Sequence, residues 1–300
     1  MKRFLTYLIL PLLLGCSEVF TLEYAPEIVV EGWIEDNGFP VVIVTSTVPV
    51  TDKYIQLDSL QDHVIRWAKV SIDDGEKEHI LTGRMNSDYF PPYIYTSSRL
   101  RGKAGKTYKL KVEYSGRVVT AETTVPDPVP LEWLEVRPSD NGKLYLTAGL
   151  KDDRSRKDYY KVFTRVVGKD STYTSSFMGL INDETLTEGT NEINIRGEFK
   201  PEYGNEDSSI YYEEDDVVLV RFCTLDKASY EYWEDFEDIL ALSRNSFFPV
   251  NKKIRSNVST GYGYWAGYGS VYYKVSMADS VDVRTPVDYS IFDQVVGKQE

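Results

Sequence analysis

Short runs that alternate apolar and charged residues, each closed by a tight turn, constrain this chain's fold most strongly. Tyr108-Lys109-Leu110-Lys111-Val112-Glu113-Tyr114 repeats with a period of two, Ser115-Gly116 turns it, and Val118 to Val125 returns. A period of two sends successive side chains to opposite faces, as half-buried antiparallel strands require. The pattern recurs. Ile28 to Ile34 runs into Asp36-Asn37-Gly38 and comes back as Val41 to Thr45, and Ala68 to Ile72 runs into Asp73-Asp74-Gly75 before His79-Ile80-Leu81. Asn-Gly and Asp-Gly pairs supply the positive φ that such turns need. Several short strands at this spacing predict an immunoglobulin-like β-sandwich over residues 26–125. The Cys-Trp-Cys signature of true immunoglobulin domains is absent, so the expectation is one of architecture.

Pro126-Asp127-Pro128-Val129-Pro130 is the expected boundary, because prolines cannot continue a ladder and stiffen the chain between domains. Residues 131–300 are expected to form a second β-rich domain. Leu131 to Val136, Lys143 to Leu150 and Tyr159 to Val167 read as strands, Val217 to Cys223 as a central one and Ser270 to Ser276 as a closing one. Asn182 to Thr190 and Pro201 to Asp216 are polar and read as exposed loops. One amphipathic helix is predicted near 226–243. Asp226 is its N-cap, Tyr230, Trp233, Phe236, Ile239 and Leu240 share one face, and Glu231, Glu234, Asp235, Glu237 and Asp238 cover the wet remainder. The 23 tyrosines, against 12 phenylalanines, suit pleated half-buried surfaces and favour strands over helices.

The first 15 residues carry Lys2 and Arg3 ahead of the apolar run Leu8-Ile9-Leu10-Pro11-Leu12, and Leu13-Leu14-Gly15-Cys16 follows. That is a leader with a basic start, a short apolar stretch and small residues at the cut. The run falls short of the roughly 20 apolar residues a membrane-spanning helix needs. Leu13 to Cys16 resembles the bacterial lipobox. In that motif the thiol takes acyl chains such as palmitate and becomes the new N-terminus, so Cys16 is the expected lipidation site. At about 0.8 kcal/mol per buried CH2, one chain holds marginally and two or three hold firmly. Residues 16–25 then read as a tether.

Losing Lys2 and Arg3 with the leader takes the formal charge from −13 to −15. A body this acidic repels nucleic acid, which is excluded as an expected partner. With Cys16 acylated, Cys223 is the only other cysteine, so no internal disulfide can form. Cys223 reads as a buried thiol used as a small hydrophobe.

No catalytic motif is visible. His63 and His79 lack partners at metal-ligand spacing, and there is no Gly-x-Ser-x-Gly elbow or Gly-rich phosphate loop. No cofactor or metal is expected. Glu213-Glu214-Asp215-Asp216 could serve calcium or simply be a solvated acidic run, and the EF-hand spacing is missing. The most unusual stretch is Gly261-Tyr262-Gly263-Tyr264-Trp265-Ala266-Gly267-Tyr268-Gly269. Tyr262, Tyr264, Trp265 and Tyr268 are the candidate contact residues for a glycan, a peptide or a protein partner, with Arg255 and Asn257 as possible polar helpers. The competing reading is a glycine-kinked loop whose rings pack across the sandwich end.

The order of these features carries a resemblance. The lipobox is followed by Pro26 to Ile34, then Ala68 to Gly75, then Gly105-Lys106-Thr107-Tyr108-Lys109-Leu110-Lys111-Val112. Tyr230-Glu231-Tyr232-Trp233, Pro249, Asn251 and Ser256-Asn257-Val258 come after them. Together they resemble the lipoprotein family named as domain of unknown function 4249. The family's closing Gly-Gly-x-Gly-x-Phe pattern is replaced here by Gly261-Tyr262-Gly263-Tyr264-Trp265. The resemblance implies an outer-membrane lipoprotein of Bacteroides-type bacteria that works beside a TonB-dependent receptor barrel, and it carries over no catalytic residues. Whether the body faces the periplasm or the cell surface is left open. Three functions are therefore expected to compete: a non-catalytic accessory or ligand-binding protein, an envelope hydrolase using paired carboxylates, and a stand-alone surface adhesin.

Overall fold

The opening hairpin folds as its alternation requires. Strands β1 (Ile28–Glu35) and β2 (Val41–Ser46) pair antiparallel around Asn37, whose φ of 59° the turn demands. The computed structural model describes residues 26–48, 61–199, 210–243 and 252–278. Within them the protein is mainly β, with one α-helix. In chain order the further elements are β3 (Lys69–Asp73), β4 (Glu78–Ile80), β5 (Thr82–Met85), β6 (Tyr93–Thr96), β7 (Thr107–Tyr114) and β8 (Arg117–Thr124). After the proline connector come β9 (Trp133–Pro138), β10 (Leu144–Lys151), β11 (Tyr159–Val166), β12 (Thr174–Asn182), β13 (Thr190–Ile195), β14 (Val217–Leu225), α1 (Lys227–Ser243) and β15 (Tyr262–Ser276).

Three sheets result. The largest has eight strands in the order β12-β11-β14-β15-β1-β2-β6-β5, and β4-β3-β7-β8 and β13-β10-β9 form two smaller ones. Strand β15 is the joint of the large sheet. Its first half runs parallel to β1, Val29 opposite Tyr262 through Glu35 opposite Tyr268. Its second half runs antiparallel to β14, from Tyr268 opposite Leu225 to Ser276 opposite Val217. One sheet therefore passes through both halves of the chain. The closing strand starts at Tyr262 rather than Ser270, and β5, β6, β12 and β13 form where no strand was expected.

Parity along each strand then sorts the side chains. On one face, Ile28, Val30, Ile34, Val42, Val44 and Trp265 meet Val70, Ile72, Tyr108, Leu110, Val112 and Val119 of the four-stranded sheet. Farther along the same face, Tyr160, Val162, Val218, Val220, Phe222, Tyr273 and Val275 meet Leu134, Leu146, Ala148, Leu150, Ile193 and Ile195 of the three-stranded sheet. Each such side chain contributes about 1.5–3 kcal/mol when removed from water. Two cores thus sit side by side under one shared sheet. Residues 126–130 lie between them, but the first core draws Val258 and Trp265 from far beyond that connector.

The connector explains part of the glycine-rich stretch. An added Cβ on Gly267 would stand 2.6 Å from the Thr124 carbonyl oxygen, and one on Gly269 2.6 Å from that of Pro126. The chain crosses the middle of β15 there, closer than any side chain permits. The expected loop is a strand through the centre of the sheet. Gly267 and Gly269 serve that crossing, and Gly263, at φ 104°, lies against the Val30 backbone of β1.

The other face is covered as well. Tyr159, Phe163, Cys223, Leu225, Tyr264, Ala266 and Tyr268 pack beneath Tyr230, Tyr232 and Trp233 of α1, and Val41, Ile43 and Ile94 pack with Trp33 and Tyr89. Burial on both faces is why Val41-Val42-Ile43-Val44 and the β14 run are continuously apolar. Asp226 caps α1 as expected, its carboxylate accepting from the Ser229 amide at 2.7 Å and from the Thr123 hydroxyl at 2.9 Å. The helix differs from expectation on its acidic side. Asp235 is buried and accepts from the Arg255 guanidinium at 2.7 Å, with Lys252 Nζ 2.8 Å from its other oxygen. Hydrogen bonding from Arg255, joined by Lys252, holds that carboxyl well below the usual range. Leu240, expected on the apolar face, is exposed.

Candidate functional site

The second face of the large sheet carries polar residues where the covering elements leave a gap. On β1, a period of two aligns Glu31, Trp33 and Glu35, and β15 contributes Tyr264, Tyr268 and Tyr272. Phe163 and Arg165 of β11 and Arg221 of β14 complete the floor. Trp233 of α1, Asp88 to Phe90 and the β11–β12 hairpin residues Ser171 to Tyr173 form the walls. Together they enclose a cavity of about 190 Å³.

At its floor lies a buried ion pair. Arg221 Nη2 stands 3.2 Å from Glu35 Oε2, and the Tyr272 hydroxyl donates to Glu35 Oε1 at 2.7 Å. Arg221 is 6% exposed and Glu35 1%. The guanidinium lies over three rings, 4.9 Å from the centre of Tyr268, 5.2 Å from Phe163 and 5.7 Å from Trp33, a favourable setting for a desolvated cation. The pair is close but misaligned. Among the described residues, neither Arg221 Nη2 nor Glu35 Oε2 has a hydrogen-bond partner, and Arg165 Nε is likewise unpartnered. Breaking such a pair by removing one member costs about 3–5 kcal/mol, because the other charge is stranded.

Glu31 is different in kind. Its side chain is exposed to solvent, yet the surrounding protein encloses it closely enough to disfavour its charge. That enclosure raises its carboxyl above the ordinary value, against the opposing effect of the Tyr264 hydroxyl donating at 3.3 Å. No basic side chain among the described residues pairs with it. Tyr264 packs 4.2 Å from the Tyr232 ring and 6.0 Å from Trp233, so α1 fixes this end of the cavity. Nearby, Lys161 is fully buried and pairs with Glu237, and burial pushes its ammonium down.

The four candidate contact residues are divided by the same parity. Tyr264 and Tyr268 line the cavity. Trp265 points the other way into the first core, is 0% exposed, and donates through Nε1 to the Tyr108 carbonyl at 3.1 Å. Tyr262 is 44% exposed at the strand's start, with Lys253 Nζ 5.9 Å from its ring centre. Asn257 is committed to the backbone of Trp265, which it clamps by accepting at 3.0 Å and donating at 2.7 Å. Arg255 is committed to the acids of α1.

The remaining candidates are structural. Cys223 is buried, and burial pushes its thiol up to about 11. His79 Nε2 lies 3.1 Å from Asp74, and His63 Nδ1 3.3 Å from the Ser46 hydroxyl. Neither lines the cavity. In the acidic run, Asp216 pairs with Lys169 at 2.7 Å and Glu213 with Lys143. No three His, Cys, Asp or Glu side chains converge among the described residues. Cys16 lies outside the described residues.

Sequence reasoning missed Glu31, Trp33, Glu35 and Arg221. A signal existed for Arg221, a charged residue at the centre of the apolar run Val217 to Cys223. Such a charge is tolerated only with a partner.

Residues 18–273 match the model of a family described as a domain of unknown function, DUF4249. No curated protein matches the chain.

Proposed function

The chain belongs to the DUF4249 family, and on that premise we propose that it is a lipid-anchored, non-catalytic binding protein of the outer membrane. In this reading, acylated Cys16 holds the body at the membrane and a TonB-dependent barrel is its working partner. One observation carries it: the shared sheet reserves an aromatic cavity above a buried, incompletely hydrogen-bonded ion pair, on a face that packing could otherwise have filled. Buried polar atoms without partners cost about 1–3 kcal/mol each. A cavity held open above them is better explained by a ligand than by stability. The rigid double sandwich suits such a role, since it fixes the floor residues on strands.

The test is a mild-detergent purification of the lipidated protein with its bound partners identified by mass spectrometry. A stoichiometric TonB-dependent barrel is expected. An intact protein that repeatedly emerges alone would turn the reading towards a stand-alone surface binder.

Glu31 favours one second reading, a hydrolase with paired carboxylates, because its carboxyl is raised and it lines a cavity. Its nearest acid on the strand is Glu35. Asp88, in the wall, is the third acid of the cavity lining. Glu35 is tied to Arg221 and Tyr272. The binding reading therefore stands ahead of the hydrolytic one.

A further inference from the structure

We propose that the end of the body where the chain enters at Pro26 docks onto the headgroup layer of a lipid bilayer, with Trp67, Tyr114 and Tyr262 as its contacts. The proposal rests on the lipid-anchor reading of Cys16 and goes beyond it, because the body becomes oriented as well as tethered.

Topology brings these residues to one end. Pro26 shares a hollow with Ile65, Tyr114, Ser115 and Arg117, and the Arg117 guanidinium donates to the Pro26 carbonyl. Tyr114 closes β7 at the tip of the β7–β8 hairpin. Trp67 lies two residues from Ile65 of that hollow and two from Lys69, which pairs with Glu113 beside the same tip. At about 3.3–3.6 Å per residue, its Cα is within about 7 Å of both. On the large sheet, Tyr262 opens β15 opposite Val29. The Thr260 hydroxyl donates to the Val118 carbonyl at 2.9 Å, which ties that strand start to the hairpin.

The exposure at this end is of one kind. Trp67 is 90% exposed, and Tyr114 and Tyr262 are exposed with it. Of the four aromatic side chains exposed among the described residues, only Phe90 lies elsewhere, in the cavity wall. Single exposed apolar residues are ordinary. Three aromatics gathered at one end, one of them a Trp left almost wholly in water, are not. Trp and Tyr join an apolar ring to a polar tip and are enriched at the level of lipid headgroups.

Where the chain leads says what covers them. Residues 16–25 separate the acylated Cys16 from Pro26, so the lipid lies at most about 35 Å from this end. A short flexible link raises the effective concentration of a tethered surface to about millimolar, so a weak patch suffices. Charge agrees. Among the described residues of this end, Arg66, Lys69 and Arg117 balance Glu27, Asp62 and Glu113, with Arg117 3.3 Å from Glu27 and Lys69 3.1 Å from Glu113. Most of the chain's acidic excess lies elsewhere, where anionic headgroups repel it. Strand β15 runs away from this end for 15 residues, about 50 Å at about 3.3 Å each, so the second core points away from the lipid.

The test places the lipidated protein in vesicles of phosphatidylethanolamine and phosphatidylglycerol, with or without bromine near the headgroup end of the acyl chains. Flotation reads anchoring, and tryptophan emission reads contact with the bromine. Brominated lipid should lower the emission by up to about one fifth, the share of one tryptophan in five, since a docked Trp sits at headgroup level. Trp67→Phe should abolish that loss while the protein still floats and its melting temperature holds. Trp33, Trp133 and Trp233 are half-buried and Trp265 is buried, so they should stay silent. Protein that floats without a bromine-dependent loss, or keeps the loss in Trp67→Phe, would overturn docking through this end and leave the anchor reading standing. Protein that does not float would overturn the anchor reading and the docking with it. Loss of a co-purified barrel in Trp67→Ala, without quenching in vesicles, would assign the patch to the barrel and overturn the lipid assignment.

Discussion

Replacing Trp265 with Ala separates a core role from a contact role. Its ring lies against β1, where a Cβ added to Gly32 would come 3.0 Å from it. It is fully buried, and its Nε1 bonds the Tyr108 carbonyl across the sandwich. Truncating a buried Trp costs about 3–5 kcal/mol in lost transfer energy and residual cavity, and the lost hydrogen bond adds about 1 kcal/mol. A domain's whole stability is about 5–15 kcal/mol. At about 2–4 °C per kcal/mol for a body of this size, the melting temperature should fall by about 8–24 °C. Scanning calorimetry checks it, with urea unfolding as a second measure. Because β15 bonds β1 on one side and β14 on the other, the two cores should melt in one transition, and that transition should move as a whole. A loss below about 1 kcal/mol with ligand binding abolished would refute the parity argument and return Trp265 to the contact surface. Two transitions, only one of them shifted, would refute the coupling through β15.

The remaining predictions are shorter. Residues 16–130 produced alone should fail to give a cooperative unfolding transition, because the first core lacks Val258 and Trp265; a sharp transition from that fragment would contradict the shared sheet. Asp235→Asn should cost about 1–3 kcal/mol at neutral pH. The folded carboxyl is held below its unfolded value, so its stabilisation is fully present above about pH 4 and is lost progressively as pH falls from there through the lower, folded value. Denaturant unfolding of the two proteins should therefore converge in acid and stay apart near pH 7. Cys16→Ser should move the protein from the membrane fraction to the soluble one and end incorporation of labelled fatty acid.

Local pattern made the hairpins legible. Alternation and turn residues locate β1–β2, β3–β4 and β7–β8, and Asp226 locates the helix start, because each rests on neighbours in the chain. What stayed hidden depends on distant partners. Tyr262 to Gly269 looks like a loop since four of its residues are not strand formers by nature: three glycines and Ala266. It is a strand because β1 flanks it on one side, β14 pairs with it from Tyr268 onward, and the connector crosses it. Strands β5, β6, β12 and β13 are short or irregular, and β12 carries Met178 at φ 56°. Tertiary pairing, not propensity, makes them strands.

The site was half legible for the same reason. The aromatic stretch stands out in the sequence, but a strand has two faces, and composition cannot say which ring goes to which. The β1 register decides it, placing Tyr264 opposite Glu31 and Tyr268 opposite Glu35. From that register the cavity follows. Two acids and a Trp on one parity of β1 meet two tyrosines on the matching parity of β15, and Arg221 supplies the cation that lets Glu35 stay buried. Trp265, one residue out of phase, is left to the core. A strand serving both a packed face and a cavity face cannot slip by one residue without losing both. Under the proposed binding role, cavity and core are coupled through a single register, and a change that shifts β15 against β1 should damage binding and folding together.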